Sequence, residues 1–256
     1  YTDPSQYQQV AKTYMTGCIF TNNTAGSLGG AYYTARSLGN TIDDCVFNGN
    51  QAPSGGALMI SSDLKITNCS FIKNNATEGG AIRSGYSYSI SDSYFFENNA
   101  VDGGAIYHSI YSTLKMVNSV ILNNTASGLG AAVFGGSSTI LNDNWWGSND
   151  NPNNVSNLVY GVQNITVDNN ISSVFVGTNN TISIVFKNSN GTDVTYIIPN
   201  RVLEIVSASA SVNSSTVNFN NNTATFTAVT NSEGNIICTV DNQKFLIDIV
   251  KMESLI

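Results

Sequence analysis

Leu64 to Ser84 reads LKITNCSFIKNNATEGGAIRS, and the first 147 residues are organised as copies of this stretch. Aligned on F-x-x-N, the copies begin at Phe20 (FTNN), Phe47 (FNGN), Phe71 (FIKN) and Phe95 (FFEN), with Ile121 (ILNN) starting a fifth. An alanine follows five residues later in each (Ala25, Ala52, Ala76, Ala100, Ala126). A second anchor comes next: GGAY at Gly29, GGAL at Gly55, GGAI at Gly79 and Gly103, and a degenerate LGAA at Leu129. The closing alanines of these anchors are 26, 24, 24 and 26 residues apart, a period that calls for a repeat architecture.

Within one copy the apolar residues come in short alternating runs (Leu64 and Ile66, Cys69 and Phe71, Ile82), each bounded by Asn, Gly or Thr. That is the signature of short strands between turns, not of helix. Three such strands per copy make one coil of a parallel β-helix, with coils stacked about 4.8 Å apart. Stacking predicts inward columns of Phe20, Phe47, Phe71, Phe95 and Ile121; of Ile42, Ile66, Ile90 and Met116; of Cys18, Cys45 and Cys69 continued by Ser93 and Ser119; and of Tyr32, Leu58, Ile82 and Ile106. Asn23, Asn50, Asn74, Asn98 and Asn124 recur at a turn, where an amide can bond its own coil and the next.

The alternation of GGA[ILY] with F-x-x-N resembles the polymorphic outer-membrane protein repeat of chlamydial surface proteins. It is more similar to the β-helical region of methanogen (archaeal) adhesin-like surface proteins, because the repeats end in NDNWWGSNDNPNN (Asn142 to Asn154) and β-rich sequence follows. The resemblance implies an extracellular, cell-surface protein that attaches to other cells, with glycans or proteins of protozoa, bacteria or a host as partners.

The composition excludes several alternatives. Charged residues make up 11% and hydrophobic ones 41%, too apolar for disorder, and no apolar run reaches 18 residues. The net charge of −7 disfavours nucleic acid or an anionic membrane as a partner, and without an 18-residue apolar run no direct membrane insertion is expected. Tyr1 is not a natural start, so the sequence reads as part of a longer chain. N-x-[ST] sequons, among them Asn22, Asn68, Asn75 and Asn123, suit an exported protein. Four cysteines do not make a disulfide framework, and buried free thiols acting as apolar fillers are expected.

The expected fold class is all-β: a right-handed parallel β-helix of about five to six coils over residues 15–153, then an immunoglobulin-like sandwich over 160–250. Residues 1–14 read as an N-terminal cap or a frayed end. Trp145-Trp146-Gly147 sits where the next F-x-x-N anchor is due, with Trp146 in the inward position, and is expected to close the stack. The region after 160 shows eight short strand signals, with turns at Asn188 to Gly191 and Asp241 to Gln243.

A catalytic reading finds little support. Asp44, Asn68, Asp92, Asn118 and Asp143 share one position across coils and suit a hydrogen-bonded ladder. Lys73 and Glu97 stack as a surface ion pair, and Glu78 and Asp102 share the residue before the double glycine. His108 is the sole histidine and has no triad or zinc partner by spacing. No catalytic residue, metal or cofactor is therefore expected. The candidate ligand-binding residues are the outward neighbours of the GGA[ILY] column: Tyr33, Met59, Arg83 and Tyr107, continued by Val133, an exposed aromatic and cationic stripe suited to stacking on sugar rings. The leading expectation is an adhesin fragment; the alternatives are a structural stalk and a polysaccharide lyase or hydrolase.

Overall fold

The computed structural model describes residues 12–35, 39–136, 139–150, 163–164, 166–169, 173–188, 190–192, 194 and 201–251. The expected N-terminal cap falls mostly outside them. The described chain is all-β, and it divides into two compact units between Asn142 and Asp143.

The first unit is a parallel β-solenoid. Its first face stacks Tyr14–Thr16, Asn40–Asp43, Leu64–Thr67, Tyr88–Ser91, Leu114–Val117 and Thr139–Asn144. The second stacks Ile19–Thr21, Val46–Asn48, Ser70–Ile72, Tyr94–Phe96 and Val120–Leu122. The third stacks Tyr32–Ala35, Leu58–Ser61, Ile82–Ser84, Ile106–His108 and Val133–Phe134. Five coils thus carry all three faces, and a sixth begins on the first.

The inward columns fall where the period places them. Phe20, Phe47, Phe71 and Phe95 stack ring on ring at 5.0, 4.9 and 4.7 Å, with interplanar angles of 3° to 9°. The strand spacing sets that distance, and it lies within the favourable range for aromatic pairs. Ile42, Ile66, Ile90 and Met116 are in register, joined by Met15 below and Leu141 above. In the narrow column the Cys18 amide donates to Cys45 Sγ, the Cys69 amide to Ser93 Oγ and the Ser93 amide to Ser119 Oγ. All four cysteines are free, and burial pushes the Cys69 and Cys238 thiols up to about 12, so both stay protonated.

The asparagine ladder satisfies the turn completely. Asn74 Oδ1 accepts from the amide and the side chain of Asn50, while Asn74 Nδ2 donates to Asn98 Oδ1 and to the carbonyl of Phe47. Asn98 repeats the arrangement with Asn124 and Phe71.

The paired glycines have different tasks. The first (Gly55, Gly79, Gly103) sits at φ +65° to +68°, a conformation costly for other residues. The second permits stacking: a Cβ on Gly56, Gly80 or Gly104 would lie 2.0 to 2.1 Å from the carbonyl oxygen of the next coil. In the last coil that place is taken by Ala131, and no later coil stands on this face among the described residues. The final anchor is therefore Gly130 to Val133, one residue later than the sequence alignment places it. Gly130 takes φ +65°, Ala105 donates to the carbonyl of Ala132, and Val133 pairs with Ile106.

The second unit has two sheets. One runs in the order Thr166–Asn169, Asn179–Lys187, Thr223–Thr230, Ala210–Val212. The other runs Ser173–Phe175, Gln243–Val250, Gly234–Val240, Val202–Val206, Thr216–Asn218. Strict alternation along Thr223–Thr230 buries Ala224, Phe226 and Ala228, which share the core with Ile182, Ile184, Phe186, Leu203, Ile205, Ile236, Cys238 and Ile247. The expected turn at Asn188 is capped by its own side chain, which accepts from the amides of Asn190 and Thr192; Ser189 lies outside the described residues.

The tryptophan pair, expected to close the stack, belongs to the second unit. Trp145, not Trp146, is the fully buried ring, and it belongs to the core of the second unit. Its indole meets Phe186 edge-on at 5.2 Å, and Nε1 donates to Asp241 Oδ2 at 2.6 Å. Asp241 also accepts from Arg201 at 3.0 Å, and the Asn242 amide donates to the carbonyl of Gly147. Leaving a buried indole N–H without an acceptor costs free energy, and at Trp145 the Asp241 carboxylate accepts from it.

Candidate functional site

The candidate stripe lies on the third face. Register places Tyr33 beside Met59, Met59 beside Arg83, and Arg83 beside Tyr107. The fifth member is Phe134 rather than Val133, which points inward and is fully buried. The shift follows from the extra residue before Gly130, and it makes the column more aromatic than the alignment implied.

The stripe is not uniformly open. Tyr33 is 44% exposed, whereas Met59 is only 7% exposed, with the Ser54 hydroxyl against its sulfur at 3.9 Å. The Arg83 side chain is 28% exposed. Its Nε bonds Glu78 Oε2 at 3.3 Å, and its guanidinium carbon lies 5.7 Å from the centre of the Tyr107 ring. Tyr107 in turn meets Phe134 at 4.9 Å. Burial raises the Tyr107 phenol, with Glu78 and Asp102 adding to the shift and Arg83 opposing it, so Tyr107 stays neutral and can donate. The result is a half-buried ladder whose cation is already oriented by one carboxylate and one ring.

The other polar side chains noted in the sequence are engaged in holding the turns. Asp44, Asn68, Asp92, Asn118 and Asp143 all adopt φ between +50° and +55°. Asn68 Nδ2 donates to Asp44 at 3.1 Å and Asn118 Nδ2 to Asp92 at 3.4 Å, so the column is an Asp–Asn ladder. Lys73 and Glu97 pair at 3.5 Å on the surface, an interaction worth under ~1 kcal/mol. Asp102 accepts from the Leu129 amide at 2.7 Å and orders the turn before the last coil. His108 is buried, and its Nε2 lies 2.9 Å from the carbonyl of Ser112. Since a carbonyl only accepts, Nε2 carries the proton, and His108 anchors the loop from Ser109 to Thr113.

Residues 6–146 match the family described as right handed beta helix region, more than half of the chain, and the chain belongs to that family. The solenoid above is thus a member of the right-handed parallel β-helix class. Among solved structures, the chain is similar to the surface layer protein SbsC, domains 1–6, at 18% identity and a TM-score of 0.24, over 38% of this chain and 14% of that one. It is also similar to domains 4 and 5 of the S-layer protein SbsC, at 20% identity and a TM-score of 0.24, over 36% of this chain and 56% of that one. A search of curated proteins returned no match.

Proposed function

We propose that the chain is a non-enzymatic part of an extracellular, cell-surface adhesin that attaches to glycans or proteins on other cells. The observation that carries this reading is the column Tyr33, Met59, Arg83, Tyr107, Phe134, which sets aromatic rings and one cation on a flat parallel sheet at the coil spacing. The resemblance of the GGA[ILY] and F-x-x-N anchors to archaeal adhesin-like proteins supports it, as does the engagement of Asp44, Asp92, Asp102 and Glu78 in bonds within the solenoid. We read the second unit as an immunoglobulin-like sandwich that spaces the solenoid from its anchor. In support, its strands follow an A-B-E-D order in one sheet and G-F-C in the other, with Thr216–Asn218 added beside C and Ser173–Phe175 beside G.

The test is retention of the purified chain on immobilised polysaccharides and on bacterial and protozoal cells. Saturable retention lost in the Arg83→Ala, Tyr107→Ala double variant is expected. Retention unchanged by that variant would remove the stripe from the binding surface. A structural stalk is the second reading; it is favoured by the internal engagement of Arg83 and the burial of Met59.

A further inference from the structure

The corner between the third and first faces changes length from coil to coil. Two residues (Ser62 and Asp63) join Ser61 to Leu64, three join Ser84 to Tyr88, and five join His108 to Leu114. The surface therefore steps inward at the shortest corner, and an open groove crosses the coils there. Thr41, Asp63, Lys65, Ser87, Ser89 and Thr113 are among the residues lining it.

Two features beside the groove point to a ligand class. The first is aromatic. Tyr86 is 52% exposed and Tyr111 is 92% exposed, and each sits in a corner loop tied down by hydrogen bonds. Ser84 Oγ donates to the Tyr86 carbonyl at 2.8 Å and accepts from its amide at 3.1 Å. His108 holds the Ser112 carbonyl, and the Thr113 amide donates to Ser87 Oγ at 3.1 Å, tying the two loops together. Large rings held open to water on ordered loops are preorganised platforms, because the ordering cost is met before binding.

The second feature is cationic. Register places Thr41, Lys65, Ser89 and Lys115 in one outward row. Lys65 and Lys115 are exposed, and neither is in an ion pair among the described residues. They stand two coils apart, roughly 10 Å at the ordinary strand spacing. Two other solenoid cations are paired, Lys73 with Glu97 and Arg83 with Glu78; a third, Lys12, reaches Gly39 in the groove lining. In a chain of net charge −7, this row is a local exception.

We propose that the groove binds an anionic polysaccharide lying across the coils. A pyranose chain advances by about one coil spacing per ring, so anionic groups on alternate rings meet Lys65 and Lys115. The hydroxyls of Thr41, Ser89 and Thr113 meet sugar hydroxyls, and Tyr86 and Tyr111 stack on ring faces. The site stands apart from the Tyr33 to Phe134 stripe and does not depend on it.

The experiment is calorimetric titration of the whole 256-residue chain with a size-fractionated oligogalacturonate, its carboxyl-reduced neutral form and a heparin-derived oligosaccharide. The expected result is saturable binding of at least one acidic probe. For the oligogalacturonate, the neutral form should bind at least tenfold more weakly. The Lys65→Gln, Lys115→Gln double variant should lose at least tenfold and Tyr86→Ala, Tyr111→Ala at least fivefold. Lys73→Gln should leave affinity unchanged. The ratio of the two acidic probes tells carboxylate from sulfate preference within the proposal. Absence of binding to both acidic probes overturns it, as does a lysine double variant that binds like the parent. Equal loss in Lys73→Gln also overturns it, since that is diffuse charge attraction. Near-UV circular dichroism checks that each variant is folded. Failure of these titrations with cell retention intact would remove the groove and leave the adhesin reading standing.

Discussion

Replacing Asn74 by alanine tests whether the amide ladder stabilises the solenoid or merely accompanies it. The Asn74 side chain makes four hydrogen bonds, to the amide and side chain of Asn50, to Asn98 Oδ1 and to the carbonyl of Phe47, at 2.9 to 3.0 Å. Asn50, Asn98 and Phe47 are all inaccessible to water. Truncation orphans the Asn50 amide, one Asn50 side-chain proton and one lone pair of the Phe47 carbonyl, while Asn98 Oδ1 keeps its bond from the Asn74 amide. At about 1–3 kcal/mol for each buried group left unpaired, the three together cost about 3–9 kcal/mol. The neighbouring Asn75 is the control, since its Oδ1 accepts only an exposed bond from Asn99; Asn75→Ala should cost under ~0.5 kcal/mol. The assay is urea denaturation followed by far-UV circular dichroism. Tryptophan fluorescence serves as an internal reference, because both indoles belong to the second unit. The reasoning is refuted if Asn74→Ala and Asn75→Ala shift the solenoid transition equally, or if the fluorescence transition moves as far as the dichroism.

Three further outcomes follow from the same geometry. Gly80→Ala would place a Cβ 2.1 Å from the Gly104 oxygen and 2.6 Å from that of Asn99, rigid backbone in both cases, and should cost at least ~3 kcal/mol by denaturation; Ala131→Gly, at the equivalent place in the last coil, should cost under ~1 kcal/mol. Trp145→Phe keeps the ring but removes the proton that Asp241 accepts, and should destabilise the second unit by about 1.5–3 kcal/mol, read by the fluorescence of the remaining Trp146. Burial lowers the His108 pKa from its ordinary 6.5, so the folded state binds fewer protons than the unfolded one. Solenoid stability should therefore be complete above about pH 6.5 and fall as the pH drops from there toward the lowered folded value, and His108→Gln should flatten that slope.

The fold was legible because stacking makes each copy a constraint on its neighbours. A 24-residue spacing repeated without error aligns Phe47 on Phe71 and Ile66 on Ile90 whatever the loops do. Legibility fails where the length changes. The extra residue before Gly130 moves the last anchor, which turns Val133 inward and hands its outward place to Phe134. The stripe was legible as a column but not in its exposure, since the cover over Met59 comes from side chains above, below and beside it. The placement of Trp145 was not legible from its own surroundings: its acceptor lies 96 residues away in a hairpin turn, and no periodicity links the two. The corner groove escaped notice because it arises from differences in loop length between copies, which an alignment on anchors discards.

The second glycine of each anchor bears on how such a protein changes its length over generations. Gly56, Gly80 and Gly104 each leave room for a carbonyl belonging to the following coil, whereas Ala131 leaves none. A duplication or deletion of a 24-residue unit between Gly56 and Gly104, as unequal recombination would produce, keeps every column continuous and every carbonyl clear. The same unit added after Ala131 would meet a methyl group. Repeat number is thus free to vary within the array and restricted at its end, so the reach of the surface can be altered in whole coils while the junction to the second unit is inherited intact.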